Sequence, residues 1–381
     1  MKKIIARQVY TASNVLYDQA VLFDDKIRAI VPIDDEQAKE AELVLETRHL
    51  VPGFIDVHIH GSHGSDTMDG TSEAMENICT YLVHNGVTSF LPTTMTQSPE
   101  NIVKALDNVR EFKERQSSQV IGADIVGVHL EGPFISPKRV GAQNPEYVLA
   151  PTKESTAFLN PYYDLIKLIT VAPEEDEDFT MIKEWSKRGI VCSMGHTVAE
   201  YDLLKKAYEA GVSHVTHCFN AMQGLHHRKP GGVGAALTLP LTTEMIVDGE
   251  HLHPAIVDLI CKAKPKDMRL LITDAMRAAG LGDCESELGG QKVYVKDGRA
   301  TLEDGTLAGS VLRMDVALRN VMEFTGLELA DIVPMLSTNA ARILHLEDRK
   351  GDIKIGLDAD LVALDQDYQV KQTFVRGKAT L

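Results

Sequence analysis

The sequence predicts an α/β protein built as a (β/α)8 TIM barrel with a small flanking β-sandwich. Between residues 53 and 345, short apolar runs of strand character alternate with amphipathic helical stretches, which is the pattern of parallel strands joined by helices. Patterns typical of β-structure dominate only at the two ends, in residues 1–52 and 346–381. We therefore expect a barrel domain of residues 53–345 and a sandwich built from both chain termini. A doubly wound open sheet is the alternative, although no G-x-G-x-x-G follows a strand.

The terminal segments justify the predicted sandwich. Residues 3–9, 15–23 and 26–31 have strand patterns, and Asp24-Asp25 forms a turn between the last two. Near the other end, strand patterns recur at 351–356, 359–364 and 370–376. Because neither end is long enough for a large domain, we expect the two to complete one unit beside the barrel.

The barrel is predicted from eight strand candidates and the helices between them. The strand candidates are residues 54–57, 87–91, 125–130, 166–171, 190–194, 214–216, 245–247 and 269–272. Ser72 is the expected cap of one helix, which Gly86 ends, and Ser98-Pro99 opens a second. A third helix is expected at residues 200–209, closed by Gly211.

Composition excludes several classes of protein. The formal net charge of -16 argues against nucleic-acid binding, so an anionic ligand requires a local cationic pocket. The five cysteines are widely spread without a C-x-x-C, which predicts reduced thiols in a cytoplasmic protein. We expect no signal peptide and no membrane span, because no apolar run reaches the required length. The charge run at residues 174–178 is interpreted as a solvated helix start.

The stretch VPGFIDVHIHG places two histidines at the end of the first barrel strand. His58 and His60 are two residues apart, so their side chains share a face of the strand. Two imidazoles at one strand end suit a metal ion, and a hydrogen-bonded histidine pair is the structural alternative.

Other ionisable residues follow the later strands in the same way. Glu131, His196 and His217 end the third, fifth and sixth strands, Asp248-Gly249-Glu250-His251 follows the seventh, and Asp274 ends the eighth. Any one of them could be a capping or packing residue, but chemistry in such barrels lies at the carboxyl ends of the strands. Imidazole and carboxylate ligands together suit Zn, Fe(II), Co or Mn. Glu131, His196 and His217 would form one ligand set, and His58 with His60 could hold a second ion.

Several longer motifs carry a resemblance to a known family. VPGFIDVHIHG, HLEGPF, GHT, THCFNAM, DGEHLHP, TDAM and a C-terminal G-x-D-A-D-L-V resemble the amidohydrolase superfamily and, within it, the N-acetylglucosamine-6-phosphate deacetylases. The resemblance implies a metal-dependent deacetylase, usually a homodimer, that removes acetate from a phosphorylated amino sugar. It implies metal ligation by Glu131, His196 and His217, and Asp274 as the acid–base group beside the metal. The substrate contacts it implies are Ala142, Asn220, Ala221, Arg228, His251, Leu307, Ala308 and Gly309.

The resemblance also frames a mechanism. A metal would activate water while Asp274 takes its proton and passes it to the leaving amine. His251 would donate a hydrogen bond to the carbonyl oxygen. Arg228 would bind the phosphate, and, as in members of the family, it would do so in the site of the neighbouring subunit. Because both histidines of the first strand are present, one or two ions are expected. The alternatives are another metal-dependent amidohydrolase, acting on N-acyl amino acids or cyclic amides, and a metal-binding scaffold without catalysis.

Overall fold

The computed structural model describes residues 1–380, and the chain opens with a small set of strands. These are β1 (Lys2–Tyr10), β2 (Val15–Phe23), β3 (Ile27–Pro32) and β4 (Glu42–Pro52), with the short helix α1 (Glu36–Glu40) before β4. β1 pairs antiparallel with β2 and parallel with β4.

The central part of the chain contributes parallel strands. They are β5 (Phe54–Ile59), β8 (Val87–Pro92), β9 (Asp124–Ile125), β10 (Val128–Glu131), β11 (Ile166–Val171), β12 (Val191–Met194), β13 (Val212–Val215), β14 (Thr242–Ile246) and β15 (Arg269–Ile272); the short pair β6 (Gly61–Ser62) and β7 (Ser65–Asp66) follows β5. The parallel strands form two sheets, one in the order β5-β8-β9 and the other in the order β10-β11-β12-β13-β14-β15. Seven of the eight predicted strands are present within a few residues of their expected bounds, and the one predicted at residues 125–130 is divided into β9 and β10, which belong to different sheets.

Backbone hydrogen bonds join these two parallel sheets at both edges. The N–H of Asp274, just after β15, donates to the carbonyl of His58 at 2.9 Å. At the other edge, the N–H of Thr94 donates to the carbonyl of His129 at 3.1 Å. The carboxyl ends of the parallel strands therefore surround one region of the molecule.

Helices connect these strands. They are α2 (Ser72–Leu82), α3 (Pro99–Ser118), α4 (Thr180–Lys187), α5 (Tyr201–Ala210), α6 (Gly231–Thr238) and α7 (Pro254–Ala263). The predicted Ser72 cap is wrong, because Thr71 has the extended backbone of a cap and its side chain accepts the N–H of Ala74. The Ser98 cap of α3 and the end of α5 at Gly211 are confirmed.

The charge run at residues 174–178 is more than a solvated helix start. Asp176 is only 3% exposed, and its carboxylate accepts the N–H groups of Met181 (3.1 Å) and Ile182 (2.8 Å) in the first turn of α4. Glu174 accepts the N–H of Val198, shortly after His196. The solvated interpretation is wrong for these two residues, since each carboxylate satisfies buried or half-buried donors.

The last part of the chain adds a hairpin sheet, three helices and the remaining strands. These are β16 (Cys284–Leu288), β17 (Gln291–Lys296), β18 (Arg299–Thr301), α8 (Met314–Thr325), α9 (Leu329–Val333), α10 (Asn339–Ile343), β19 (Leu361–Leu364), β20 (Val370–Val375) and β21 (Lys378–Ala379). β19 pairs with β4, so both ends of the chain form one seven-stranded sheet, in the order β21-β20-β19-β4-β1-β2-β3. The sequence predicts a sandwich here, whereas these strands are hydrogen-bonded into a single sheet with separate apolar clusters.

A buried network of charges connects this terminal sheet to the parallel strands. The Lys350 side chain is 2% exposed, and its Nζ lies 3.1 Å from a carboxylate oxygen of Asp124 in β9 and contacts Asp360 just before β19. Asp358 is 3.6 Å from the same ammonium, and Arg376 pairs with Asp124 at 3.1 Å. Among residues 1–380, no helix combines the length and apolar character needed to cross a lipid bilayer.

Candidate metal centre and active site

A pocket of about 470 Å³ opens at the carboxyl ends of the parallel strands. Its walls include most of the side chains singled out from the sequence: His60, Glu131, Ala142, His196, His217, Asn220, Ala221, His251, Asp274, Leu307 and Gly309. Met95, Gln143 and Leu288 also line it, and the sequence analysis did not identify them.

Glu131, His196 and His217 meet at the floor of this pocket. Oε1 of Glu131 lies 3.1 Å from Nε2 of His217 and 3.3 Å from Nε2 of His196. The two Nε2 atoms are 3.1 Å apart, and all three residues are buried. One oxygen and two nitrogens therefore converge closely enough to share one ion.

A second group lies beside the first and also includes Glu131. Nε2 of His60 is 3.2 Å from Oε2 of Glu131 and 3.2 Å from Oδ1 of Asp274. Nε2 of His58 is 3.5 Å from Oε1 of Glu131 and 3.4 Å from the same Asp274 oxygen. Glu131 thus lies between two groups of ligand atoms, each with room for a cation.

The hydrogen bonds made by the other ring nitrogens fix which nitrogen can bind a metal. Nδ1 of His196 lies 2.8 Å from the carbonyl oxygen of Arg139, and Nδ1 of His58 lies 3.0 Å from Oε2 of Glu244. Since a carbonyl and a carboxylate only accept, both Nδ1 atoms carry hydrogen. In the neutral rings Nε2 then bears the lone pair, which is the arrangement found in metal-bound histidines.

The donor set fits a divalent metal for an electrostatic reason. Lone pairs on Nε2 of His58 and His196 face the carboxylates of Glu131 and Asp274, and Nε2 of His58 makes no well-formed hydrogen bond within residues 1–380. Such atoms repel one another in a buried site unless protons or cations lie between them. The residues present therefore match an imidazole and carboxylate site for one or two divalent ions.

The pKa shifts of the buried carboxylates and imidazoles agree with this electrostatic coupling. Burial alone would raise the pKa of Glu131, but the charge of His58 and hydrogen bonds from His196 and His217 place that pKa well below its usual value. Burial would lower the pKa of His58, and the charges of Asp274 and Glu131 raise it well above its usual value. The carboxylates and the imidazoles thus stabilise each other's charged forms.

Backbone conformation also directs these side chains into the pocket. His196 (φ 47°), His217 (φ 28°) and Asp274 (φ 49°) all have positive φ values directly after their strands. Non-glycine residues rarely adopt this conformation, and it is concentrated at functional sites. The positive φ value turns the backbone at the end of each strand and directs the side chain toward the pocket.

Two buried residues support the ligands and were missed by the sequence analysis. Glu244 is fully buried in β14, and its carboxylate contacts His58, Nε2 of His214 at 3.0 Å and the backbone N–H of His217 at 2.9 Å. Gln143 donates to Oε2 of Glu131 at 2.7 Å. The spacing of β14 residues suggests only a core strand, so Glu244 has no distinguishing signal in the sequence.

His251 borders the same pocket and is held from behind by Asp248, whose Oδ2 is 2.7 Å from Nδ1 of the ring. Asp274 and His251 therefore line the same pocket as the ligand group. A carboxylate and an imidazole in this position can exchange protons with a substrate and donate to it.

Arg228 and Ala308 do not line this pocket. Arg228 is exposed, and its guanidinium contacts Nε2 of His227 at 2.7 Å. Ala308 is fully buried between two lining residues, Leu307 and Gly309. The structure thus leaves Arg228 outside the site of its own chain.

Comparison with known proteins places the chain in a family. A family model described as the amidohydrolase family matches residues 49–380. The N-acetylglucosamine-6-phosphate deacetylase of Bacillus subtilis (strain 168) is 46% identical over 330 residues, covering 86% of this chain and 83% of that protein. The N-acetylgalactosamine-6-phosphate deacetylase of Escherichia coli O157:H7 is 35% identical, covering 98% of this chain and 97% of that protein.

Comparison with a solved structure places the chain in the same family. A mutant of the Mycobacterium smegmatis N-acetyl-D-glucosamine-6-phosphate deacetylase, in complex with N-acetyl-D-glucosamine 6-phosphate, superposes with a TM-score of 0.92 at 29% identity. The match covers 100% of this chain and 99% of that one. The chain is therefore a member of the amidohydrolase family, within the branch that contains the N-acetylglucosamine-6-phosphate deacetylases.

Proposed function

We propose that this chain hydrolyses the acetamide of N-acetyl-D-glucosamine 6-phosphate to D-glucosamine 6-phosphate and acetate, a step of amino-sugar catabolism. The observation that carries the proposal is the convergence of Glu131, His196 and His217 beside Asp274 in one pocket. The relatives named above act on this class of substrate, which favours it over N-acyl amino acids or cyclic amides.

The ligand group would hold one or two divalent ions, of Zn, Fe(II), Mn or Co. Glu131, His196 and His217 would bind the first, and His58, His60 and Asp274, together with Glu131, would bind the second. A divalent cation supplies Lewis-acid polarisation of the acetamide and makes water a better nucleophile at neutral pH.

The chain's own residues would move the protons. Asp274 takes the proton of the attacking water and delivers it to the nitrogen of the leaving amine. His251 donates a hydrogen bond to the acetamide oxygen, where negative charge develops. Asn220, Ala221, Leu307 and Gly309 would contact the sugar from the pocket walls, together with Ala142.

This chemistry requires a rigid scaffold. We infer that the two parallel sheets form one closed (β/α)8 barrel of residues 53–345, because hydrogen bonds join them at both edges. Residues 1–52 and 346–381 would form the flanking domain.

The direct test measures acetate release from N-acetyl-D-glucosamine 6-phosphate by metal-loaded protein, before and after treatment with a chelator. We expect release that is lost with the metal and regained when Zn, Fe(II), Mn or Co is added back. Parallel assays use N-acetyl-D-galactosamine 6-phosphate, an N-acetyl amino acid and a cyclic amide. A metal-loaded protein that cleaves none of the sugar phosphates would contradict the proposal.

A homodimer with shared sites is the second part of the proposal, and the exposed position of Arg228 supports it. If Arg228 binds the phosphate in the neighbouring subunit, Arg228→Ala should raise KM far more for the phosphorylated sugar than for N-acetylglucosamine. Mixed dimers of Arg228→Ala and Asp274→Asn chains should regain activity, because one site then contains both intact residues. No recovery in verified mixed dimers would assign Arg228 to its own chain's site.

A further inference from the structure

A second cavity, of about 280 Å³, lies where the parallel strand β9 begins and shares no lining residue with the pocket at the candidate metal centre. It is bordered by the end of α3, the start of β9, the segment between α10 and β19, and the residue that follows β20. Its charged lining side chains are four cations and one carboxylate: Lys113, Arg349, Lys350, Arg376 and Asp124. The whole chain has a formal net charge of -16, so this local charge is opposite in sign to that of the protein.

Ion pairs in the cavity wall account for only part of the positive charge. Asp124 lies 3.1 Å from both Lys350 and Arg376, so its carboxylate is already neutralised by two cations. Arg349 pairs with Asp358 at 3.0 Å, but its side chain remains 53% exposed. Lys113 is half-buried, and its ammonium has no hydrogen bond or ion pair within residues 1–380. The cavity is therefore bordered by a cation that has no counterion.

Arg376 also has a donor without an acceptor. Its Nη2 donates to the carbonyls of Gln116 (2.8 Å) and Gln119 (3.0 Å) at the end of α3, and pairs with Asp124. Its Nε is buried and has no partner among the residues that the structure describes. A buried N–H group without an acceptor is costly, and such groups are normally bonded to ordered water or to an ion.

The cations around the cavity destabilise one another. Burial and the positive charges of Lys167 and Arg349 lower the pKa of Lys113. The carboxylates of Asp124 and Asp164 oppose this shift without cancelling it. The charged form of Lys113 is therefore disfavoured by its surroundings, and a bound anion would relieve that cost.

We propose that this cavity binds a phosphate group, either as inorganic phosphate or as part of a phosphorylated metabolite. Lys113 and Arg349 would neutralise its charge, and Nε of Arg376 would donate to one of its oxygens. A phosphate has several oxygens that accept from an ammonium and a guanidinium together, which suits this set of donors. The cavity volume is at the lower end for ligand sites, as expected for a small anion. This inference does not depend on the proposed hydrolysis.

The position of the cavity gives the anion an effect on stability. Lys113 belongs to α3, which leads into the parallel strand β9, whereas Arg376 follows β20 of the terminal sheet. An anion held by both side chains contacts both parts of the molecule. Because this arrangement exists only in the folded chain, phosphate should stabilise the protein according to its occupancy of the site.

The test compares Lys113→Gln with Lys104→Gln, which makes the same change of charge at an exposed position of the same helix. Binding of inorganic phosphate to metal-loaded protein is measured by isothermal titration calorimetry at constant ionic strength. Lys113→Gln should raise the Kd of one site per chain by about 10- to 100-fold, because a charged hydrogen bond is lost. Lys104→Gln should leave that Kd within about twofold of the wild type, and Lys113→Arg, which keeps the charge, should retain binding.

Urea unfolding gives a second measurement. Phosphate at about ten times its Kd should lower the unfolding equilibrium constant about tenfold, relative to chloride at the same ionic strength, in the wild type and Lys104→Gln. The effect should be much smaller in Lys113→Gln, which should fold because Lys113 has no partner to lose within residues 1–380.

Glucose 6-phosphate distinguishes the two sources of the phosphate group. Binding that depends on Lys113 with this ester as well would assign the cavity to phosphorylated metabolites, and such binding with the inorganic ion alone would assign it to free phosphate. A wild type that binds no phosphate, or equal affinities in Lys113→Gln and Lys104→Gln, would overturn the proposal. Neither result bears on the proposed hydrolysis, which is tested separately by acetate release.

Discussion

Asp274 occupies the position on which the proposed chemistry depends most directly. Its carboxylate is near Nε2 of both His58 and His60, and its backbone N–H is bonded to the neighbouring strand. Burial would raise the pKa of Asp274, but the charge of His58 and the hydrogen bond from His60 lower it below its usual value. The group is therefore ionised at neutral pH, as a general base must be.

Asp274→Asn should lower kcat by about two to four orders of magnitude, because the amide cannot accept the proton of water. The ion bound by Glu131, His196 and His217 should be retained, since none of these three ligands is changed. Turnover is measured by acetate release and metal by elemental analysis of the same sample. Near wild-type turnover in this variant would remove Asp274 from the acid–base role.

Glu244 is predicted to act on metal retention through the ligands it supports. Glu244→Gln replaces one carboxylate oxygen with an amide NH₂, which cannot accept from both His58 and His214. Metal affinity should fall by about 10- to 100-fold, measured as metal retained during titration with a chelator. Glu285→Gln, on the exposed hairpin, is the matched control, and equal retention in both variants would exclude a supporting role for Glu244.

The sequence identifies the ligand residues but not their supports, for a physical reason. His58, His196, His217 and Asp274 stand at the ends of apolar runs, where a polar side chain is conspicuous. Glu244 lies inside a strand of mixed composition, and its partners are far away in the chain. Its importance becomes visible only once the strands are placed side by side.

At the scale of elements, the strand pattern is predicted well and the turns that follow the strands are not. The apolar runs locate the parallel strands, although the run at residues 125–130 forms two strands rather than one. The positive φ values of His196, His217 and Asp274, in contrast, have no signal in a non-glycine sequence. Local sequence also cannot show that Asp176 folds back onto α4, because neighbouring acidic residues in the same run remain exposed.

Asp176→Ala should destabilise the protein by about 1–2 kcal/mol, because two N–H groups in the first turn of α4 lose their acceptor. The free energy of unfolding is measured by urea denaturation. Glu177→Ala, one residue further along and exposed, should change stability by less than about 0.5 kcal/mol. If the two variants are equally stable, the Asp176 carboxylate does not stabilise the first turn of this helix.

At the scale of the whole molecule, the Lys350 network ties the terminal sheet to the parallel strands. Lys350→Met leaves Asp360 buried without its cation and Asp124 with Arg376 alone, which should cost about 3–5 kcal/mol. The measurement is again denaturant unfolding. Lys292→Met, which removes an exposed pair with Glu285, is the control and should cost less than about 1 kcal/mol.

The cost of Lys350→Met should also depend on pH in a defined direction. Burial raises the pKa of Asp360, Lys350 opposes that rise, and Asp124 adds to it. Without the ammonium the folded-state pKa rises further, so ionised Asp360 destabilises the variant above that pKa and protonation relieves the cost below it. The stability difference from wild type should shrink as pH falls from about 7 to about 5. A difference that grows on acidification would contradict this account.

The pairing of β4 with β19 sets a condition on how the molecule is made. On the ribosome, β4 emerges early and leads directly into the strand that carries His58, but its partner at residues 361–364 emerges only after the parallel strands. Throughout that interval one edge of the nascent sheet has unpaired backbone groups, open to other chains. The yield of folded protein should therefore depend on translation speed and on protection by chaperones. The stability of the finished sheet should affect this yield less.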